Sequence, residues 1–186
     1  MKLRLGLGAV LLCLPLLSYA DGCSLSSGGY HAGNSFAGST ACVKANMTSL
    51  SVNGPVTIQQ STITSAVING PTDLNRSTVF QLTANGPLKL TEANINELVL
   101  QGSLDAKKST INKIKISGEI TLTDSTVTSV TFKRKSLASS PSKIYLKGKS
   151  QVNGDIVFEN GQGLVYAEKT AKVTGKIIGG KLEAMG

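Results

Sequence analysis

NGPVTIQQSTITSAVINGP, residues Asn53–Pro71, opens and closes on the same Asn-Gly-Pro triplet, and the sixteen residues from Gly54 to Asn69 form the unit that decides the fold. Within it Val56 and Ile58, and again Ala66 and Ile68, alternate with polar residues, as in short strands with one buried face. Ser61 and Ile63 repeat the alternation with a small residue first. The unit carries no sustained three-and-four spacing of apolar residues, which excludes an amphipathic helix.

Outward from this unit, glycine recurs every sixteen residues at Gly38, Gly54, Gly70, Gly86, Gly102 and Gly118. With glycine as the first column, column five reads Cys42, Ile58, Leu74, Leu90, Ala106, Leu122, and column ten reads Met47, Ile63, Val79, Ile95, Ile111, Val127. Columns thirteen and fifteen are also apolar, column eight is always Ala or Ser, and column three mixes Thr with Val, Leu and Ile. Three short alternating segments per repeat imply three sides and three corners. An Asn-Gly pair between two isolated strands would suggest a hairpin, but an unvarying period returns the chain to the same side one strand spacing higher. The expected fold is therefore all-β: a single-stranded parallel β-helix, or β-solenoid, of three-sided coils of about 16 residues, right-handed by default.

Residues 1–20 read as a signal peptide, with Lys2 and Arg4 ahead of the apolar run Leu5–Leu17 and small residues before a cleavage site at Ala20. Residues 21–37 read as an N-terminal cap, 38–133 as six regular coils, 134–143 as a loop and 144–186 as irregular coils of the same body. Nothing after the leader is long and apolar enough for a membrane span. Export, to periplasm, cell surface or medium, leaves Cys23 and Cys42 as the remaining cysteines and favours a disulfide tying the cap to the first coil over a pair of free thiols or a bond from Cys23 to another chain.

The phrases Ser109-Thr110-Ile111 and Ser125-Thr126-Val127 resemble those of bacterial parallel β-helix proteins, and Ser150-Gln151-Val152-Asn153-Gly154-Asp155-Ile156 resembles the rungs of bactofilins. That resemblance implies stacked coils and polymer formation. Bactofilins lack a cleaved signal, so it extends to the coil geometry rather than to a cytoskeletal role.

The chain has one His, no Trp, four Tyr and four Phe, and no cofactor fingerprint or metal-ligand cluster, so neither a cofactor nor a metal is expected. Charge is segregated. Residues 21–101 carry three basic and four acidic side chains, whereas residues 102–186 carry fourteen and seven. The basic candidates are Lys107, Lys108, Lys113, Lys115, Lys133, Arg134 and Lys135, suited to an acidic glycan or lipid headgroup outside the cell. Without interleaved aromatics, nucleic acid is not an expected partner. The leading reading is thus a non-enzymatic structural or adhesive solenoid that contacts polyanionic envelope polymers or associates with itself through its C-terminal coil.

Two alternatives come from other columns. Asp73 and Asp105 share column four, about 10 Å apart, a spacing open to a carbohydrate-active enzyme. Lys89 between them favours ion-paired surface charges instead. Columns nine and eleven supply an outward ladder of Asn46, Thr48, Thr62, Thr64, Thr78, Asn94, Asn96, Thr110, Asn112, Thr126 and Thr128. Such a Thr/Asn grid is similar to the ice-binding faces of β-solenoid antifreeze proteins, although Phe80 interrupts it.

Overall fold

The computed structural model describes residues 21–23, 34–134 and 141–185. The segment read as a signal peptide, Lys135 and most of the expected loop lie outside the described residues. In chain order the strands are β1 (Asp21–Gly22), β2 (Asn34–Ala37), β3 (Thr40–Val43), β4 (Asn46–Asn53), β5 (Val56–Gln59), β6 (Thr62–Asn69), β7 (Thr72–Asn75) and β8 (Thr78–Asn85). They continue with β9 (Leu88–Thr91), β10 (Asn94–Gln101), β11 (Leu104–Lys107), β12 (Thr110–Ile116), β13 (Ile120–Thr123) and β14 (Thr126–Phe132). The last are β15 (Ser142–Lys147), β16 (Gln151–Val152), β17 (Ile156–Phe158), β18 (Gly163–Ala167), β19 (Lys172–Val173), β20 (Ile177–Ile178) and β21 (Gly180–Ala184).

All pairings are parallel and join residues one coil apart. Val56 pairs with Thr72, Thr72 with Leu88 and Leu88 with Leu104, while Ile63 pairs with Val79 and Val79 with Ile95. Two sheets result: a ten-stranded one of short strands from β1 to β21, and a second one led by the eight-residue strands. The chain is a parallel β-solenoid, as its period implies. In β4 the residues Thr48 and Ser49 both face outward between buried Met47 and Leu50, so the strand bends there and one sheet wraps two sides.

Every column read as apolar points inward, from Cys42, Ile58, Leu74 and Leu90 to Val130 and Phe132, forming one continuous core. The glycine column marks a corner where coils touch backbone to backbone. Gly102 has φ +151°, and a Cβ there would strike the Gly86 carbonyl oxygen; Gly54 and Gly70 meet the same obstacle from the glycine below. Only a residue without Cβ permits both that backbone conformation and that approach.

Two boundaries differ from expectation. The segment read as a cap supplies strands at its described ends, β1 on β3 and β2 on β4, so it extends the sheets. Cys23 is disulfide-bonded to Cys42, whose side chain lies in the core. The strand expected from residue 144 begins at Ser142, whose amide already bonds the Gln162 carbonyl of the next coil at 3.1 Å.

Candidate functional site

Column seven forms a second corner that the sequence reading did not identify. Lys44, Gln60, Arg76, Glu92, Lys108 and Asp124 all adopt the left-handed conformation, with φ between 47° and 52°. Glycine is absent from these six positions, although Gly148, in register with Asp124 on the next coil, takes φ +60°, and column-eight serines satisfy the backbone around most of the corner. Ser61 Oγ accepts the Ala45 amide at 3.0 Å and donates to the Gln59 carbonyl at 2.7 Å. Ser77, Ser109 and Ser125 repeat the arrangement, and Ser150 accepts the Ser125 amide at 3.3 Å. A buried hydroxyl thus satisfies the amide of one coil and a carbonyl of its own. The ladder is broken at Ala93, which offers the Ser77 amide no hydroxyl. The missed signal was that column seven never holds an apolar or β-branched residue, the types least tolerant of positive φ.

This corner projects its side chains as a ridge along the solenoid. In the C-terminal half the ridge is basic: Lys107 and Lys108 lie on one coil, Lys147 and Lys149 two coils on, and Lys169 on the coil after that, all exposed. The nearby acids are engaged by backbone. Asp124 Oδ1 accepts the Lys149 amide at 2.9 Å, and Glu168 Oε2 accepts the Gly148 amide at 2.7 Å. Among the described residues, none of these five lysines forms a salt bridge, the ion pairs being Arg76–Glu92, Lys113–Glu97 and Lys133–Glu159.

The structure therefore divides the basic residues that the sequence grouped. Lys107 and Lys108 belong to the ridge. Lys113 and Lys115 stand on a different side, with Lys113 Nζ 3.8 Å from Glu97 Oε1. Lys133 Nζ lies 2.7 Å from Glu159 Oε1, whose carboxylate also accepts the Arg134 amide. Lys147 and Lys149 belong to the basic half legible in the sequence, but their alignment on the ridge, with Lys169, follows from the register of the irregular coils on the regular ones.

Two glutamates titrate below their ordinary range. Glu92 is lowered first by the hydrogen bond from Arg76 and then by its charge, and Glu159 first by the hydrogen bond from Lys133 and then by the Arg134 amide. Both lie at the solvent-facing surface.

The ladder residues do share one face. Asn46, Thr62, Thr78, Asn94, Thr110 and Thr126 pair in register, and Asn112 Nδ2 donates to Asn96 Oδ1 at 3.1 Å. Thr48, Thr64 and Thr128 stand exposed beside them, while Asn96, Asn112 and Thr126 are half-buried and Phe80 protrudes. On the opposite side a shallow groove of about 540 Å³ runs over Pro55, Pro71 and Pro87 and contains Asp73, Lys89 and Asp105. The expected ion pairing in that column is not formed: no nitrogen–oxygen distance among these three falls within 4.0 Å. Lysine and aspartate side chains that stack at strand spacing on an open sheet remain solvated, because water competes well with so exposed a pair.

Among the described residues no group of three or more His, Cys, Asp or Glu is placed to hold a metal ion, and no helix is long and apolar enough to cross a membrane. Comparison with protein-family models, with curated proteins and with solved structures finds no match to this chain.

Proposed function

We propose that this protein is a non-enzymatic, exported structural or adhesive solenoid that contacts polyanionic envelope polymers through the lysine ridge at its second corner. Export rests on the first twenty residues and accords with the Cys23–Cys42 disulfide, a bond that persists in oxidising compartments. The observation that carries the contact is the segregation of partners on the ridge: five lysines reach solvent while Asp124 and Glu168 are committed to backbone amides. The ridge lysines lie on coils up to three apart and so span about 14 Å at 4.8 Å per coil, enough to engage several charges of a linear polyanion laid along the axis. Such contact is electrostatic and weakens with salt.

Retention of the mature chain on immobilised heparin, a linear polyanion, tests this. Replacing Lys107, Lys108, Lys147 and Lys149 by Gln should move elution to markedly lower salt, whereas replacing Lys113, Lys115 and Lys133 should move it little. Equal shifts for the two sets, or retention that survives high salt, would overturn the reading. A carbohydrate-active enzyme is the second reading, favoured by the groove that holds both Asp73 and Asp105. Glycan turnover unchanged by Asp73→Ala together with Asp105→Ala would eliminate it.

A further inference from the structure

The C-terminal coil exposes both apolar side chains and unpaired backbone. β21 is the outermost strand of the ten-stranded sheet, and β18 is its partner within that sheet. Leu182 stands in the inward column above Val165 yet is 59 % exposed, because no coil among the described residues covers it. Val173 and Ile177, inward on the other sides of the same coil, are partly buried.

The edge has a definite hydrogen-bonding pattern. The Gly163 amide bonds the Gly179 carbonyl at 3.0 Å and the Met185 amide bonds the Ala167 carbonyl at 2.9 Å, so the odd-numbered residues of this segment face β18. In a parallel ladder each residue turns its N–H and C=O to the same neighbour. Gly180, Leu182 and Ala184 consequently turn theirs outward, where no strand among the described residues meets them.

We propose that two copies of this chain join through these edges as an antiparallel pair of β21 strands centred on Leu182. In that register Leu182 meets Leu182 of the second copy as a hydrogen-bonded pair, and Gly180 meets Ala184 in the same way on either side, so every outward N–H and C=O of the strand is matched. Lys181 then stands opposite Glu183 of the second copy, twice, at the non-hydrogen-bonded positions where side chains approach most closely. The tripeptide Lys181-Leu182-Glu183 is self-complementary in antiparallel pairing: cation faces anion, and the apolar residue faces itself.

The two-fold axis normal to this sheet keeps both Leu182 side chains on the core side and stacks Val173 of one copy near Ile177 of the other, closing the end of each apolar core. A head-to-tail contact would instead set this end against the edges of β1 and β2. An isologous contact closes at two copies, whereas a head-to-tail one would continue into a fibre. The proposal is independent of the lysine ridge.

Sedimentation velocity of the mature chain over a concentration series tests it, with thermal unfolding as a check that each variant is folded. The native chain should sediment as a dimer that dissociates on dilution without larger species. Leu182→Asp should give monomer. Lys181→Glu alone and Glu183→Lys alone should each weaken the dimer about tenfold or more, by setting like charges opposite one another. The double charge swap should restore it to within about threefold of native, since both cross-strand pairs re-form in reverse. A native chain that stays monomeric at high concentration, a dimer indifferent to Leu182→Asp, or single variants that the double swap fails to rescue would overturn the proposal.

Discussion

The regular coils and the C-terminal coils use glycine at the same corner for different ends. Between Gly54 and Gly118 each glycine lies against the carbonyl of the glycine one coil below, so the corner is a backbone stack. In the C-terminal coils Gly163 and Gly180 occupy the first column, but their missing Cβ atoms leave room for the Phe158 ring, which stacks on Phe132 with centroids 4.6 Å apart. The first region thus depends on a repeated local geometry. The second accommodates irregular lengths by filling the corner with an aromatic side chain. A parallel solenoid can therefore abandon strict periodicity without losing its core, provided the inward columns stay in register, as Ile120, Ile144 and Val165 do.

The sharpest test of that contrast is a pair of core truncations. Leu74→Ala, fully buried mid-solenoid, should cost about 4 kcal/mol by urea denaturation, while Ile177→Ala, partly exposed in the last coil, should cost about 1 kcal/mol. Equal losses would show that the end is as tightly packed as the middle. The glycine corner gives the next effect. Gly102→Ala combines a disallowed φ with a backbone clash and should cost about 3 kcal/mol, whereas Gly161→Ala, at φ +70° with open space around it, should cost about 1 kcal/mol.

The serine ladder offers a change in either direction. Ser61→Ala should lose about 2 kcal/mol by stranding the buried Ala45 amide. Ala93→Ser should gain about 1 kcal/mol by giving the Ser77 amide an acceptor. A destabilised Ala93→Ser variant would mean that this coil has no room for the hydroxyl.

The smallest effect is that of acid. Because the native pKa values of Glu92 and Glu159 are depressed, each contributes stability that is present above the ordinary glutamate range and lost as pH falls through the lowered native value. At this exposure the loss should be slight and shrink in high salt. Denaturation midpoints across that acidic window, for the native chain and for Glu92→Gln, check it: the two should converge as pH falls.

The sequence carried the coil length, the inward columns and the bonded cysteines, since all of these depend on residue type at a fixed period. Column three was legible even with Thr40 and Thr72 in it, because alternation outweighed polarity; both threonines are buried. The left-handed corner escaped because no glycine marks it in the regular coils and its backbone is satisfied largely by serine hydroxyls of the adjoining coil, sixteen residues away. The lysine groupings blurred for a related reason. Lys107 and Lys113 are six residues apart in the chain yet stand on different sides, and Lys108 shares a corner with Lys149, forty-one residues on. Proximity in a solenoid follows the column rather than the chain.

Every coil from Lys44 to Asp124 turns the column-seven corner with φ between 47° and 52°, whatever charge it carries there, so the backbone at each seam matches the next even where Ala93 interrupts the serine ladder. Excising or duplicating a whole coil would leave the flanking seams able to close. The rod can thus be cut to size in steps of one storey, and a tailored length would act as a ruler between whatever is held at its ends.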